Sequence, residues 1–151
     1  MAAGSRPTVS LSRPAPFVPG EFSGLGNRLL TNENVFDLED LPDRLAVIGA
    51  GPIGLELAQA MARLGVEVSL FDRGDRLGGV RCDRVHGALK AIIEEDMALR
   101  LGVELKVERK DGGVSLAWNG ISSGQAEFDY LLVATGRPPN LDSLNLSAAG
   151  L

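Results

Sequence analysis

Short continuous apolar runs alternate along this chain with stretches of helical spacing. Leu45 to Ile48 is an unbroken apolar run that stops at glycine, the pattern of a buried parallel strand. From Pro52 to Leu64 the apolar residues Ile53, Leu57, Met61 and Leu64 recur at helical spacing, with small Ala58, Ala60 and Ala62 between them. Gly65 supplies a helix C-cap, and Val66 to Phe71 is a second strand. Gly74, Gly78 and Gly79 make a loop. Asp83 to Ala98 is a second helix, with Val85, Leu89, Ile92, Ile93 and Met97 as its apolar stripe and Glu94, Glu95 and Asp96 facing water.

A short third strand covers Ala98 to Leu101. Glu104–Arg109 and Gly113–Trp118 then flank Lys110-Asp111-Gly112, a hairpin turn signal, and Glu127 to Ala134 is the last strand. Upstream, Thr31 to Leu41 predicts a helical turn with Thr31 as N-cap and Val35, Phe36 and Leu38 inward, stopped by Pro42. Residues 1–30 are rich in Pro, Gly and Ser and read as an extended connector, and residues 31–151 as one domain. The predicted fold class is α/β. It is a Rossmann-like three-layer domain with a central parallel sheet, flanking helices and an antiparallel β-meander excursion.

Composition narrows the function classes. The 151 residues suffice for one domain with a real core. The formal net charge is −5 with no basic cluster, which argues against nucleic acid and an anionic membrane as partners. No apolar stretch is long enough to cross a bilayer, and the N-terminus lacks a secretory pattern. Cys82 is the single cysteine, which excludes an internal disulfide and fits a reducing cytoplasm. One histidine excludes a multi-histidine metal site, and no metal is expected.

The chemistry concentrates where the first strand meets the first helix. Gly49-Ala50-Gly51-Pro52-Ile53-Gly54 has the spacing G-x-G-x-x-G, the arrangement a dinucleotide needs. Gly49 permits the tight exit from the strand. Gly51 lets the backbone approach a pyrophosphate, and Gly54 lets the helix pack close to the strand. The pyrophosphate would then lie over free N–H groups at a helix N-terminus, where the dipole favours negative charge. Pro52 suits an early helical position, which needs no N–H. Asp72 closes the second strand, placed to accept hydrogen bonds from both adenosine ribose hydroxyls. Like charge there would repel a 2′-phosphate, so NAD is expected over NADP. Arg73 and Arg76 follow. A guanidinium is what a 2′-phosphate wants, and the plainer reading of both is a solvated loop.

Three further pieces carry a resemblance. Glu56 stands two residues after Gly54, Arg63-Leu64-Gly65-Val66-Glu67-Val68 follows one helix later, and Asp129 to Asn140 closes with Ala134-Thr135-Gly136-Arg137-Pro138-Pro139-Asn140. Together these resemble the NAD(P)H domain of the flavoprotein disulfide reductases, the class I pyridine nucleotide-disulfide oxidoreductases such as dihydrolipoamide dehydrogenase. Ala2 to Pro7 resembles that family's connector out of its FAD domain, with Ala3 where threonine is usual.

The resemblance implies roles. Gly49, Ala50, Gly51, Pro52, Ile53 and Gly54 would hold the pyrophosphate and nicotinamide side. Glu56 would orient the carboxamide, Asp72 and Arg73 would lie at the adenosine ribose, and Val103 would lie near adenine. Gly136 would bring bare backbone to the nicotinamide end. Core packing is the plain alternative for Val103, and an exposed helix residue for Glu56. The chain departs from the family at Pro52, where some members carry an aromatic lid. It also lacks the C-x-x-x-x-C redox pair, the FAD glycine turn and the dimerisation domain with its His-Glu pair. His86 falls on a polar helix face. The expectation is an excised NAD(H)-binding module, inactive alone. Its parent would be a homodimeric enzyme passing electrons between NAD(H), FAD and a redox disulfide, of the dihydrolipoamide dehydrogenase type. The alternatives are an NADPH-dependent member, such as a glutathione or mercuric reductase, and a stand-alone FAD- or nucleotide-binding module.

Overall fold

The computed structural model describes residues 18–136. The connector motif Ala2–Pro7 and the closing residues from Arg137 to Asn140 lie outside them. Eight strands and two α-helices follow in chain order among the described residues: β1 (Leu29–Leu30), β2 (Arg44–Ile48), α1 (Pro52–Arg63), β3 (Glu67–Asp72), α2 (Asp83–Asp96), β4 (Ala98–Leu101), β5 (Val103–Lys110), β6 (Gly113–Gly120), β7 (Gly124–Phe128) and β8 (Tyr130–Val133). A five-stranded parallel sheet has the order β1-β8-β2-β3-β4, and β5-β6-β7 form a separate antiparallel meander. The α/β reading with its antiparallel excursion holds.

Period-two alternation in the central strands assigns the layers. Leu45 and Val47 of β2, Val68 and Leu70 of β3, and Leu132 of β8 face the helices. There they pack with Leu57, Ala58 and Met61 of α1 and Ile93 of α2. The intervening Ala46, Ile48, Phe71, Leu131 and Val133 face the other way, onto Val114, Leu116 and Phe128 of the meander. Helices therefore cover one face of the sheet and the meander covers the other. Phe71 ties the two sheets together, with its ring 5.3 Å from Trp118 and 6.1 Å, edge-on, from Phe128.

The chain crosses between the two sheets with no loop. The predicted strand Glu127–Ala134 is broken at Asp129, because its two halves belong to different sheets. Asp129 makes the crossing a fixed joint. Its carboxylate accepts the Arg44 N–H at 2.8 Å while its own N–H donates to the Arg44 carbonyl at 3.0 Å. The excursion is the antiparallel meander expected, its third strand β7 beginning at Gly124 rather than within the run read as Glu127–Ala134.

Three other expectations change. Of the expected extended connector, the described part is folded. Gly20–Arg28 is 3-10 helical with a kink at Gly26, Leu29 and Leu30 form the edge strand β1, and Phe22 and Leu25 are buried against the meander side. Proline and glycine broke up the pattern there, but Phe22 and Leu25 sit three apart and share one face. On α2 the buried stripe is Ile93 with Leu89 and Met97, while Val85 and Ile92 are exposed. Only one side of α2 meets the body, so the wider stripe read from periodicity overshoots. In the segment after β1, Val35 is buried but Phe36 is exposed. Thr31 acts there through its neighbours, donating its N–H to Asn34 Oδ1 at 2.7 Å. No helix among the described residues is long and apolar enough to cross a membrane.

Candidate functional site

A groove of about 700 Å³ opens at the carboxyl ends of β2, β3 and β8. Strand order reverses there, since β2 connects through α1 to β3 on one side while β8 returns on the other. In open α/β sheets that crevice is where ligands bind.

The turn after β2 forms one wall through Gly49, Ala50, Gly51, Pro52 and Ile53. Gly49 adopts φ +110°, and a Cβ on it would stand 2.5 Å from the Ala134 carbonyl oxygen. Its N–H donates to the Phe71 carbonyl at 2.8 Å, so the ladder carries the strand to the very turn. Gly54 is buried beneath the turn, where a Cβ would run into the Gly49 carbonyl oxygen. These two glycines are explained by the protein itself. Gly51 is not: a Cβ there meets no protein atom within 4 Å, and its φ −72°, ψ 176° is open to any residue.

Gly51 is the N-cap of α1 and offers no side-chain cap; the first helical bond runs from the Leu55 N–H to the Gly51 carbonyl at 3.0 Å. Among the described residues the N–H groups ahead of it, on Gly51, Ile53 and Gly54, find no acceptor. Such a terminus is suited to an anion.

Asp72 at the end of β3 holds the turn in place. One carboxylate oxygen accepts the Ala50 N–H at 2.5 Å and the other accepts the Gly74 N–H at 2.6 Å. A carboxylate has about four lone-pair positions, so further acceptor capacity remains toward the groove. Arg73 and Arg76, expected in a solvated loop, are both paired. Arg73 donates to Glu21 Oε1 at 3.1 Å. Arg76 donates to Asp83 at 2.6 Å and to the carbonyls of Val80 and Arg81 at 3.4 and 3.1 Å. The Arg76 hydrogen bond, and then its charge, hold the Asp83 carboxyl below its ordinary range, and the same pair raises the Arg76 guanidinium.

Ala134, Thr135 and Gly136 line the groove after β8, and Gly136 has φ +143°. The opposite wall comes from Pro19, Glu21 and Phe22, together with Leu105 of β5. The structure thus gathers Gly49, Ala50, Gly51, Pro52, Ile53, Asp72, Arg73 and Gly136 on one groove, with Gly54 underneath. Two expected residues are not in its wall. Glu56 is exposed on α1, and Val103 is 1% exposed, packed with Phe71 in the core; Leu105, two positions on, reaches the groove instead. Pro19, Glu21 and Phe22 were missed because they lie in the segment read as a connector. Among the described residues no group of three or more His, Cys, Asp or Glu side chains could hold a metal ion.

A parallel sheet whose strand order reverses beside a glycine turn, under a capless helix, defines a dinucleotide-type α/β domain, and comparison with known proteins places it further. The pyridine nucleotide-disulphide oxidoreductase family matches residues 1–151, and the chain belongs to that family. A mercuric reductase of Lysinibacillus sphaericus is 38% identical over 141 residues, covering 91% of this chain and 26% of the relative. A dihydrolipoyl dehydrogenase of Bacillus subtilis is 34% identical over 160 residues, covering 100% and 31%. The solved structure of LpdA from Mycobacterium tuberculosis superposes with a TM-score of 0.72 at 27% identity, covering 87% of this chain and 29% of that one. The flavoprotein disulfide reductase RclA of Escherichia coli shares the fold, with a TM-score of 0.74 at 22% identity over 91% of this chain and 30% of its own. The chain thus spans between a quarter and a third of the length of these relatives. The family is FAD-dependent and uses pyridine nucleotides.

Proposed function

We propose that the groove binds NAD(H), and that the chain is the pyridine-nucleotide module of a FAD-dependent disulfide oxidoreductase of the dihydrolipoamide dehydrogenase type. The observation that carries this is Gly51. Neither conformation nor packing demands glycine there, whereas a ligand pyrophosphate laid on the turn does.

Each groove residue has a task in this reading. Gly49 and Gly54 set the turn, and the free N–H groups of Gly51, Ile53 and Gly54 hold the pyrophosphate. Asp72 fixes the Ala50 N–H in place and accepts from the adenosine ribose. Gly136 leaves bare backbone at the nicotinamide end. Bound nicotinamide supplies hydride chemistry, and the chain supplies orientation and electrostatics. With Cys82 as its single cysteine the chain holds no dithiol pair, so we expect it to bind nucleotide without reducing a disulfide. FAD, a redox disulfide and a homodimeric partner belong to the proposed parent enzyme.

An NADPH-dependent member is a second reading, favoured by the 38% identity to mercuric reductases. Calorimetric titration of the chain with NADH and NADPH separates the two. The expected result is tighter NADH binding. Tenfold tighter NADPH, about 1.4 kcal/mol, would overturn the NAD assignment. Purified protein that is yellow with flavin absorbance would overturn the pyridine-nucleotide reading itself.

A further inference from the structure

We propose that Glu21 is a coenzyme-specificity residue, which pairs with Arg73 across the groove mouth and withholds that guanidinium from a ribose 2′-phosphate. The inference rests on the reading of the groove as a nucleotide site. It begins from an apparent contradiction. Two arginines follow Asp72 within four residues, and a cationic cluster at that point suits the phosphorylated coenzyme. Yet neither is free.

Arg76 is fastened to Asp83 and two carbonyls of its own loop. These three bonds all lie within the segment that carries it and hold it there, although it too lines the groove. Arg73 is different. Among the described residues its one partner is Glu21 at 3.1 Å, which comes from the 3-10 helical segment 52 positions earlier in the chain. Both side chains stay substantially exposed, at 71% for Arg73 and 46% for Glu21, and both line the groove. Phe22, the next residue after Glu21, is 3% exposed and anchors the backbone there. The carboxylate is thus presented from a fixed base, while Arg73 is tethered by one exposed ion pair.

The consequence is selective. A nucleotide with free ribose hydroxyls needs only acceptors, which Asp72 provides, and is indifferent to Arg73. A 2′-phosphate must break the Glu21–Arg73 pair before Arg73 can bind it, and it meets the unpaired Glu21 carboxylate when it does. The specificity set therefore includes a residue from outside the strand–turn–helix unit.

Titration calorimetry with NADH and NADPH, on the whole chain and on E21Q, tests this. E21Q is expected to tighten NADPH about fivefold, the scale of one exposed ion pair, and to leave NADH within about twofold. E21A should do the same. The double variant E21Q with R73A should lose the gain, because the gain requires the released guanidinium. Unchanged NADPH affinity in E21Q and E21A, with NADH bound normally, overturns the assignment alone. A gain that survives R73A also overturns it, since removal of negative charge would then suffice. Failure of every form to bind either nucleotide overturns the groove reading and the assignment together.

Discussion

Gly51 and Asp72 show how single residues divide the labour of the groove. Gly51 is free of steric demands from the protein, so a side chain there should act on the ligand alone. Gly51→Val is expected to weaken nucleotide binding at least about a hundredfold by calorimetry. Its stability cost should stay near 1 kcal/mol, the difference between glycine and an aliphatic N-cap, by urea denaturation. A large loss of stability with affinity intact would reverse that assignment. Asp72 would carry two duties under the proposed reading, because the oxygens assigned to a ribose also accept the Ala50 and Gly74 N–H groups. Both glycine spacing and the acid at the strand end were legible in sequence, since each follows from chemistry within some 25 residues. The carboxylate bonds that make Asp72 structural were not, because they depend on how two loops meet. Glu56 and Val103 were placed by resemblance, and the structure sets both outside the groove wall.

At the scale of elements, legibility followed sequence range. β2, α1 and β3 lie within a residue or two of their predicted bounds, because one apolar run, one glycine turn and one periodic helix specify them locally. β7 and β8 were merged because Phe128 to Val133 is apolar except for Asp129, and only the tertiary structure assigns its halves to different sheets. The Asp129 joint yields a prediction. Asp129→Ala removes the acceptor of the Arg44 N–H at the start of β2, and should cost about 1–3 kcal/mol in urea denaturation. Asp129→Asn keeps an acceptor oxygen and should cost less. Equal losses would mean that charge, and not the hydrogen bond, holds the crossing. β1 and the 3-10 segment before it were illegible for the reason that hides many edges: a two-residue strand has no period to detect.

For the whole molecule, a nucleotide in the groove would touch almost every layer boundary at once. Ligand at a hundred times its dissociation constant adds about 2.7 kcal/mol to stability. For a chain of this size that is a rise on the order of 5–10 °C in Tm, measurable by calorimetric scanning. An unchanged Tm at saturating NADH would contradict a native-state site. The groove joins Pro19 to Gly136 through corners at Gly49, Asp72 and Leu105, nearly the full span of the described chain. The wall that carries Glu21 and Phe22 lies outside the β2-α1-β3 unit on one side, and Gly136 lies outside it on the other. The complete site therefore exists only in the folded chain: an early intermediate built from β2, α1 and β3 would offer the glycine turn and Asp72 without the opposite wall. Binding then reports completion, and a cell that keeps the nucleotide abundant would hold finished copies and leave unfinished ones exposed to proteolysis.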